Sequence, residues 1–193
     1  MRPTFTDANV LYPSLLRNLL MRLSLAGACD LRWSDRVHEE WISNLVQKAS
    51  LDEAALRRTW AQMDAALPSA RVIGFDALID TLTLPDPDDR HVLAAALHSG
   101  AGELLTFNLK DFPAPVMAEC GMVAVHPDSW LCRLCDQYPD IVRRAVQELL
   151  AALKNPALSA EDLTAALHRL NVPEAARQIT ELLSDDRPAE EHP

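Results

Sequence analysis

The sequence predicts an α/β protein: a three-layer α/β/α sandwich with a mainly parallel sheet, followed by a C-terminal helical extension. Three observations carry this expectation. Short apolar runs, each too brief for a helix, alternate with stretches of helical periodicity through residue 125. The runs at 104–107 and 122–125 are apolar almost throughout, as strands of a buried parallel sheet are. Beyond His126 the strand-like runs cease and the remaining segments read as helices. The expected domains are therefore 1–127 and 128–193.

The first half of the chain supplies the expected elements in order. Residues 4–8 form a brief extended segment, and Asp7 falls at its C-terminal end, where open α/β sheets place their ligand sites. A helix cap or loop acceptor is the other reading of such an aspartate. Pro13 opens a helix in which Leu15, Leu16, Leu19, Leu20, Leu23 and Leu25 make a broad apolar stripe, with Arg17 and Arg22 placed elsewhere on the helix. Residues 31–33 suit a second strand, and Ser34 is a plausible N-cap for a helix over 35–48. Glu40 adjoins the Val37, Trp41, Asn44 and Leu45 stripe of that helix, while Glu39 faces solvent. Glu40 is thus the better candidate to enter a cleft, and two ordinary surface charges is the competing account. Trp33 and Trp41 are expected to pack in the core. A further helix over 51–66 ends at Pro68, Val72 and Ile73 make a short extended run, and 75–82 suits a small helix or turn.

Residues 84–112 form an acid-rich segment. Pro87 suits the first helical position and Asp86 an N-cap, while Asp88 and Asp89 in the first turn are favoured by its exposed amides. Val92, Leu93, Ala95, Ala96 and Leu97 then give a small-residue apolar helix that stops near Gly100. Asn108 and Asp111 follow the strand-like run after it. His91 and His98 are expected to face solvent or a partner. In the extension, Pro127 with Asp128 and Pro139 with Asp140 open two helices, the second interrupted at Asn155 and Pro156. Ser159 with Asp162 makes a capping-box-like start for 160–170, and Pro173 begins the last helix, with 184–193 frayed.

A chain of 193 residues with 49% hydrophobic content holds a sizeable core. No N-terminal stretch resembles a signal peptide, and no apolar run approaches the roughly 18 residues of a membrane span. The expected location is the cytoplasm, with no membrane partner. Cys132 and Cys135 form a CxxC without a second pair or a nearby His at zinc-finger spacing, so the four cysteines read as thiols of a reducing compartment. The net charge of -10 is unevenly spread: residues 1–71 carry nine basic against eight acidic side chains, residues 72–127 two against eight. Such an acidic region attracts divalent cations, and a bound ion reverses the local sign felt by a polyanion.

Asp7, Glu40, Asp89 and Asn108 are the candidate site. They come from two strand ends and two helices, and the three carboxylates are hard oxygen ligands suited to magnesium or manganese. Phosphodiester hydrolysis gains from such ions because they orient water, neutralise a phosphate oxygen and stabilise the leaving oxygen. Thr106 and Asn9 are placed to orient carboxylates by hydrogen bonds or simply to close local turns.

Four stretches, TDANVLYPSLLR, WSDRVHEEW, LPDPDDRHVLAAA and LLTFNLKDFP, occur in an order that resembles the PIN-domain ribonucleases, specifically the VapC-like toxins of bacterial toxin–antitoxin systems. The resemblance covers approximately residues 3 to 126. It implies a PIN-like fold and a Mg2+- or Mn2+-dependent endoribonuclease acting on single-stranded or looped RNA. An antitoxin partner and a homodimer are implied with it. The family's acids match Asp7, Glu40 and Asp89, whereas the fourth position, often Asp, is Asn108. That departure removes one negative charge, for which Asp111 is a possible substitute or else a loop cap. Three readings stay open beside RNA cleavage: DNA cleavage, an inactive PIN-fold interaction or regulatory protein, and an interaction role for 128–193 that is compatible with catalysis.

Overall fold

The computed structural model describes residues 2–154 and 157–184. The expected interruption at Asn155 and Pro156 and the frayed tail beyond Ser184 lie outside the described residues. The chain is an α/β/α sandwich with a parallel five-stranded sheet flanked by helices, plus C-terminal helices, and it matches a PIN-like fold. Two compact units are distinguished: Met1–Arg17 with Cys29–His126, and Asn18–Ala28 with Pro127–Pro193.

In the first unit the strands are β1 (Thr4–Thr6), β2 (Leu31–Ser34), β3 (Arg71–Val72), β4 (Glu103–Leu105) and β5 (Val123–Val125), in the spatial order β3-β2-β1-β4-β5. Every pairing is parallel, and Phe5 aligns with Arg32 on one side and Leu104 on the other. Phe5, Leu104 and Leu105 are fully buried, as central strands covered on both faces require. The chain elements between the strands are α1 (Ala8–Leu11), α2 (Ser14–Leu25), α3 (Asp35–Ala49), α4 (Glu53–Ala66), α5 (Asp76–Ile79), α6 (Arg90–His98) and α7 (Ala114–Glu119).

The caps explain several boundaries. Ser34 accepts a hydrogen bond from the Val37 amide and starts α3, which ends where Ser50 turns into the left-handed region at φ 53°. Asp52 accepts from the amides of Ala54 and Ala55, so α4 begins at Glu53. The acid-rich segment departs from the single helix expected there. Asp86 does cap, accepting from the Asp88 amide at 2.9 Å, but Pro87–Asp89 is one 3-10 turn and the α-helix starts at Arg90. Val92 through Ala96 of that helix are completely buried, and α6 packs on β1, β2 and β4. Small side chains permit this close approach of helix to sheet.

Arg17, expected off the apolar stripe, is nonetheless buried. Its guanidinium donates to the Leu11 carbonyl and, at 3.3 Å, to the Tyr12 carbonyl, and it lies 4.4 Å from the Trp41 ring centroid. These partners account for a charge that is only 7% exposed. Trp33 and Trp41 are core residues.

The second unit contains α8 (Pro127–Gln137), α9 (Pro139–Ala152), α10 (Ala160–Arg169) and α11 (Pro173–Ser184). Its core collects Leu131, Val146, Leu149, Leu163, Leu167 and Ile179, with α11 packed on the other three helices. Ser159 and Asp162 complete the capping box, and the Asp128 carboxylate accepts from the Ala175 amide at 2.8 Å, capping α11 from α8. Among the described residues no cysteine forms a disulfide. Among the described residues no helix is long and apolar enough to cross a membrane.

Candidate active site

Parallel strands direct their C-terminal ends to one edge of the sheet, and the candidate residues follow those ends. Asp7 comes directly after β1, Thr106 directly after β4, and Glu40 lies in α3, which begins where β2 stops. Asp89 is the N-cap residue of α6.

Asp7 is 4% exposed and is held by a network spanning the sheet. Its Oδ2 accepts from the Thr106 hydroxyl at 2.7 Å and from Asn9 Nδ2 at 2.6 Å. Thr106 Oγ1 itself accepts from Asn9 Nδ2 and from the Asn108 amide, both at 3.0 Å, and Asn9 Oδ1 accepts from the Phe107 amide at 3.1 Å. Use of these amides by side chains explains why β4 stops at Leu105 although the apolar run continues to Phe107. Thr106 and Asn9 therefore orient a carboxylate and also close the turn.

The acids feel one another. Burial pushes the Asp7 pKa up, while hydrogen bonds from Thr106, the Ala8 and Asn9 amides and the Asn9 side chain pull the other way. Glu40 is pushed up to about 7, first by burial and then by the charges of Asp7, Asp89 and Asp88. With 46% of the Glu40 side chain accessible, solvent screens part of that repulsion. Asp89 is raised to about 6 by burial, then by Asp7, Asp86, Asp111 and Asp88. Asp7, Glu40 and Asp89 are thus brought into one electrostatic environment. Glu39 points elsewhere, forming a two-point ion pair with Arg57.

Asn108 sits at the start of a 3-10 turn over Leu109–Asp111, and its Nδ2 donates to Asp111 Oδ2. Asp111 is among the charges that raise Asp89, and it accepts the hydrogen bond from Asn108. Among the described residues, no three His, Cys, Asp or Glu side chains close into a ready-made metal cage.

Residues 127–181 match the family model described as the VapC50 C-terminal domain. Over 137 residues the chain is 28% identical to the putative ribonuclease VapC50 of Mycobacterium tuberculosis, an alignment covering 69% of this chain and 80% of that protein. The chain thus resembles VapC50 and carries a PIN-like fold. No solved structure matches it.

Two features of this VapC50-like protein escaped sequence reasoning. The first is His91, which does not point freely into solvent: its side chain is 16% exposed and its Nε2 is 3.7 Å from Glu40 Oε2. It lines a recess of about 480 Å3 with Arg36, Glu40, Ile79, Pro87, Asp88 and Asp89. The hydrophobic side of α6 was legible, but the neighbour of its first turn was set by α3, far away in sequence. The second is His38, fully buried between α3 and α4, where it accepts from Trp41 Nε1 at 2.9 Å and stacks on Trp60. Asp64 completes that cluster by accepting from the indoles of Trp33 at 2.9 Å and Trp60 at 2.8 Å. The spacing of Trp60 and Asp64 at i, i+4 was the only local signal for it.

Proposed function

We propose that this VapC50-like protein is a metal-dependent endoribonuclease, the toxin of a toxin–antitoxin pair, cleaving single-stranded or looped RNA. Its implied partners are an antitoxin and a second copy of the chain. The observation that carries the reading is the placement of Glu40 and Asp89 beside buried Asp7, where burial and then the Asp7 charge raise both. Three carboxylates raised by burial, two of them also by the Asp7 charge, form a donor set that a divalent cation relieves. Magnesium ordinarily takes one or two carboxylates and keeps several waters, so it does not require a three-ligand cage.

Asp7, Glu40 and Asp89 are the residues to hold Mg2+ or Mn2+, with Asn108 and its partner Asp111 at the rim. When bound, the ion neutralises the phosphate and favours attack by water. The chain's own groups supply the rest. Thr106 and Asn9 fix the Asp7 carboxylate, and Glu40 completes the site or positions water.

The test is cleavage of matched RNA and DNA substrates with Mg2+ or Mn2+ by the wild-type protein and by Asp7→Ala and Asp89→Ala. Both variants are expected to remain folded and lose metal-dependent RNA cleavage; full activity in either overturns its assignment, and preferential DNA cleavage overturns the substrate. A second reading, an inactive PIN-fold interaction protein, draws on the Asn108–Asp111 hydrogen bond, which engages the amide at the fourth position. Absence of both Mg2+ and Mn2+ binding in calorimetry, together with absence of cleavage, selects it.

A further inference from the structure

The recess beside the acids contains features that cation binding does not require. Its carboxylate side belongs to Glu40, Asp88 and Asp89, but Ile79 and Pro87 supply apolar wall, and Arg36 and His91 supply hydrogen-bond donors. Its volume of about 480 Å3 lies within the roughly 300–1,000 Å3 of small-molecule sites. Nucleobases present this same combination of apolar faces and polar edges.

The imidazole of His91 has one nitrogen committed to nothing: Nδ1 is fully covered and has no hydrogen-bond partner. No acceptor there receives a proton, which favours the neutral tautomer carrying hydrogen on Nε2. Nε2 is 3.7 Å from Glu40 Oε2, beyond hydrogen-bond length, and is the nitrogen available to a base carbonyl or ring nitrogen. Arg36 is 53% exposed and donates from NH2 to Asp76 at 2.9 Å, with Asp76 68% exposed. Such a surface pair is weakly held and exchanges readily for a phosphate.

We propose that this recess receives the unstacked nucleobase adjoining the scissile phosphodiester, with Ile79 and Pro87 against its face, His91 Nε2 on its edge and Arg36 on the flanking phosphate. This assignment rests on the nuclease reading for its place in the reaction, though nucleobase binding itself is measurable without cleavage. RNA recognition commonly uses splayed bases read along their edges, and here the recess shares Glu40 and Asp89 with the acid cluster.

The experiment is ligand-observed NMR titration of the full chain with adenosine, cytidine, guanosine and uridine in magnesium-free buffer; nucleosides carry no phosphate for the acids to repel and no bond for the nuclease to cleave. At least one nucleoside is expected to bind. Ile79→Trp, which fills the recess, is expected to weaken it about tenfold or more, and His91→Phe to lower discrimination among the four bases. Arg36→Ala is expected to spare the nucleoside and weaken the matching 5′-monophosphate. Ile79→Ala, a smaller perturbation of the fold, serves as the second wall variant and is expected to weaken binding in the same direction. Failure of every nucleoside to bind the wild type overturns the proposal, as does unchanged binding in both Ile79 variants. Nucleoside binding without RNA cleavage in Mg2+ or Mn2+ refutes the nuclease reading and supports the recess as a base site. Cleavage by a protein whose Ile79 variants bind nucleosides normally refutes the recess alone.

Discussion

Replacing Thr106 with valine isolates the hydroxyl that ties the two central strands together at the candidate site. The side chain is fully buried; its hydroxyl donates to Asp7 Oδ2 at 2.7 Å and accepts from the Asn108 amide at 3.0 Å. A hydrogen bond to a charged group contributes about 1.5–3 kcal/mol, and an orphaned amide costs about 1–3 kcal/mol. Asn9 Nδ2 retains its own bond to Asp7, and relaxation recovers part of the loss. We therefore expect Thr106→Val to lose about 2–4 kcal/mol in urea unfolding followed by tryptophan fluorescence at pH 8. The pH dependence gives a sharper test. Asp7 has a folded-state pKa above its ordinary 3.8, so its ionised form costs stability, and that cost is relieved as pH falls through the raised folded value toward 3.8. Loss of the Thr106 donor raises Asp7 further, so the penalty of the substitution is greatest where Asp7 is ionised and shrinks on acidification. Thr106→Ser restores the donor and most of the stability. In the same samples, Mn2+ affinity is expected to fall about 10–100-fold in the valine variant, the usual effect of losing a ligand-orienting group. A change below about 0.5 kcal/mol at pH 8, or a penalty independent of pH, refutes the assigned role of this hydroxyl.

Three further predictions address separate parts of the first unit. Asp64→Leu strands the indole donors of Trp33 and Trp60 and is expected to destabilise by about 2–4 kcal/mol in chemical denaturation, with an intermediate effect for Asp64→Asn, which keeps one acceptor oxygen and leaves the other indole facing an NH2 donor. Burial lowers the His38 pKa to about 3, with Asp35 opposing and Arg17 and Arg71 assisting. The unfolded chain therefore binds a proton that the folded protein refuses between about pH 6.5 and 3, and stability falls with acidification in that window by up to about 1.4 kcal/mol per pH unit. His38→Gln should flatten this component in unfolding curves collected across the same range; an unchanged difference from wild type at every pH sinks it. Finally, Asp89→Asn removes one of the charges acting on Glu40, so the Glu40 carboxyl resonance in carbon NMR should titrate below its expected midpoint of about 7. Magnesium should move it the same way in the wild type, and no movement in either experiment refutes the electrostatic coupling.

What was legible in the sequence was mostly local. Ser34 and Asp86 sit beside the turns that they cap, and the division between Glu39, paired with Arg57, and Glu40, set beside the other acids, follows from helical period. The alternation of strands and helices exposed the parallel sheet for the same reason. Other features depend on partners brought together only by folding. Nothing near Arg17 in the sequence announces the Trp41 ring that covers it, nor does the sequence around His91 announce Glu40. Asp64 reaches Trp33 across 31 positions, and the local pattern of α4 alone gives an ordinary surface aspartate. Apolar residues at 104–107 likewise suggested a longer strand than forms, because Asn9 draws off the Phe107 amide.

The bond from Thr106 to Asp7 joins residues 99 positions apart. During synthesis, Asp7 and Glu40 emerge long before β4, the strand that sits directly beside β1, and Asp89 also precedes it. A chain truncated ahead of β4 possesses all three acids but lacks the hydroxyl that orients the first of them. Closing so long a loop is among the slower steps of folding. The order of the strands thus acts as a built-in delay: the complete constellation exists only in a nearly full-length, folded first unit, and an abandoned or prematurely terminated chain leaves it unassembled.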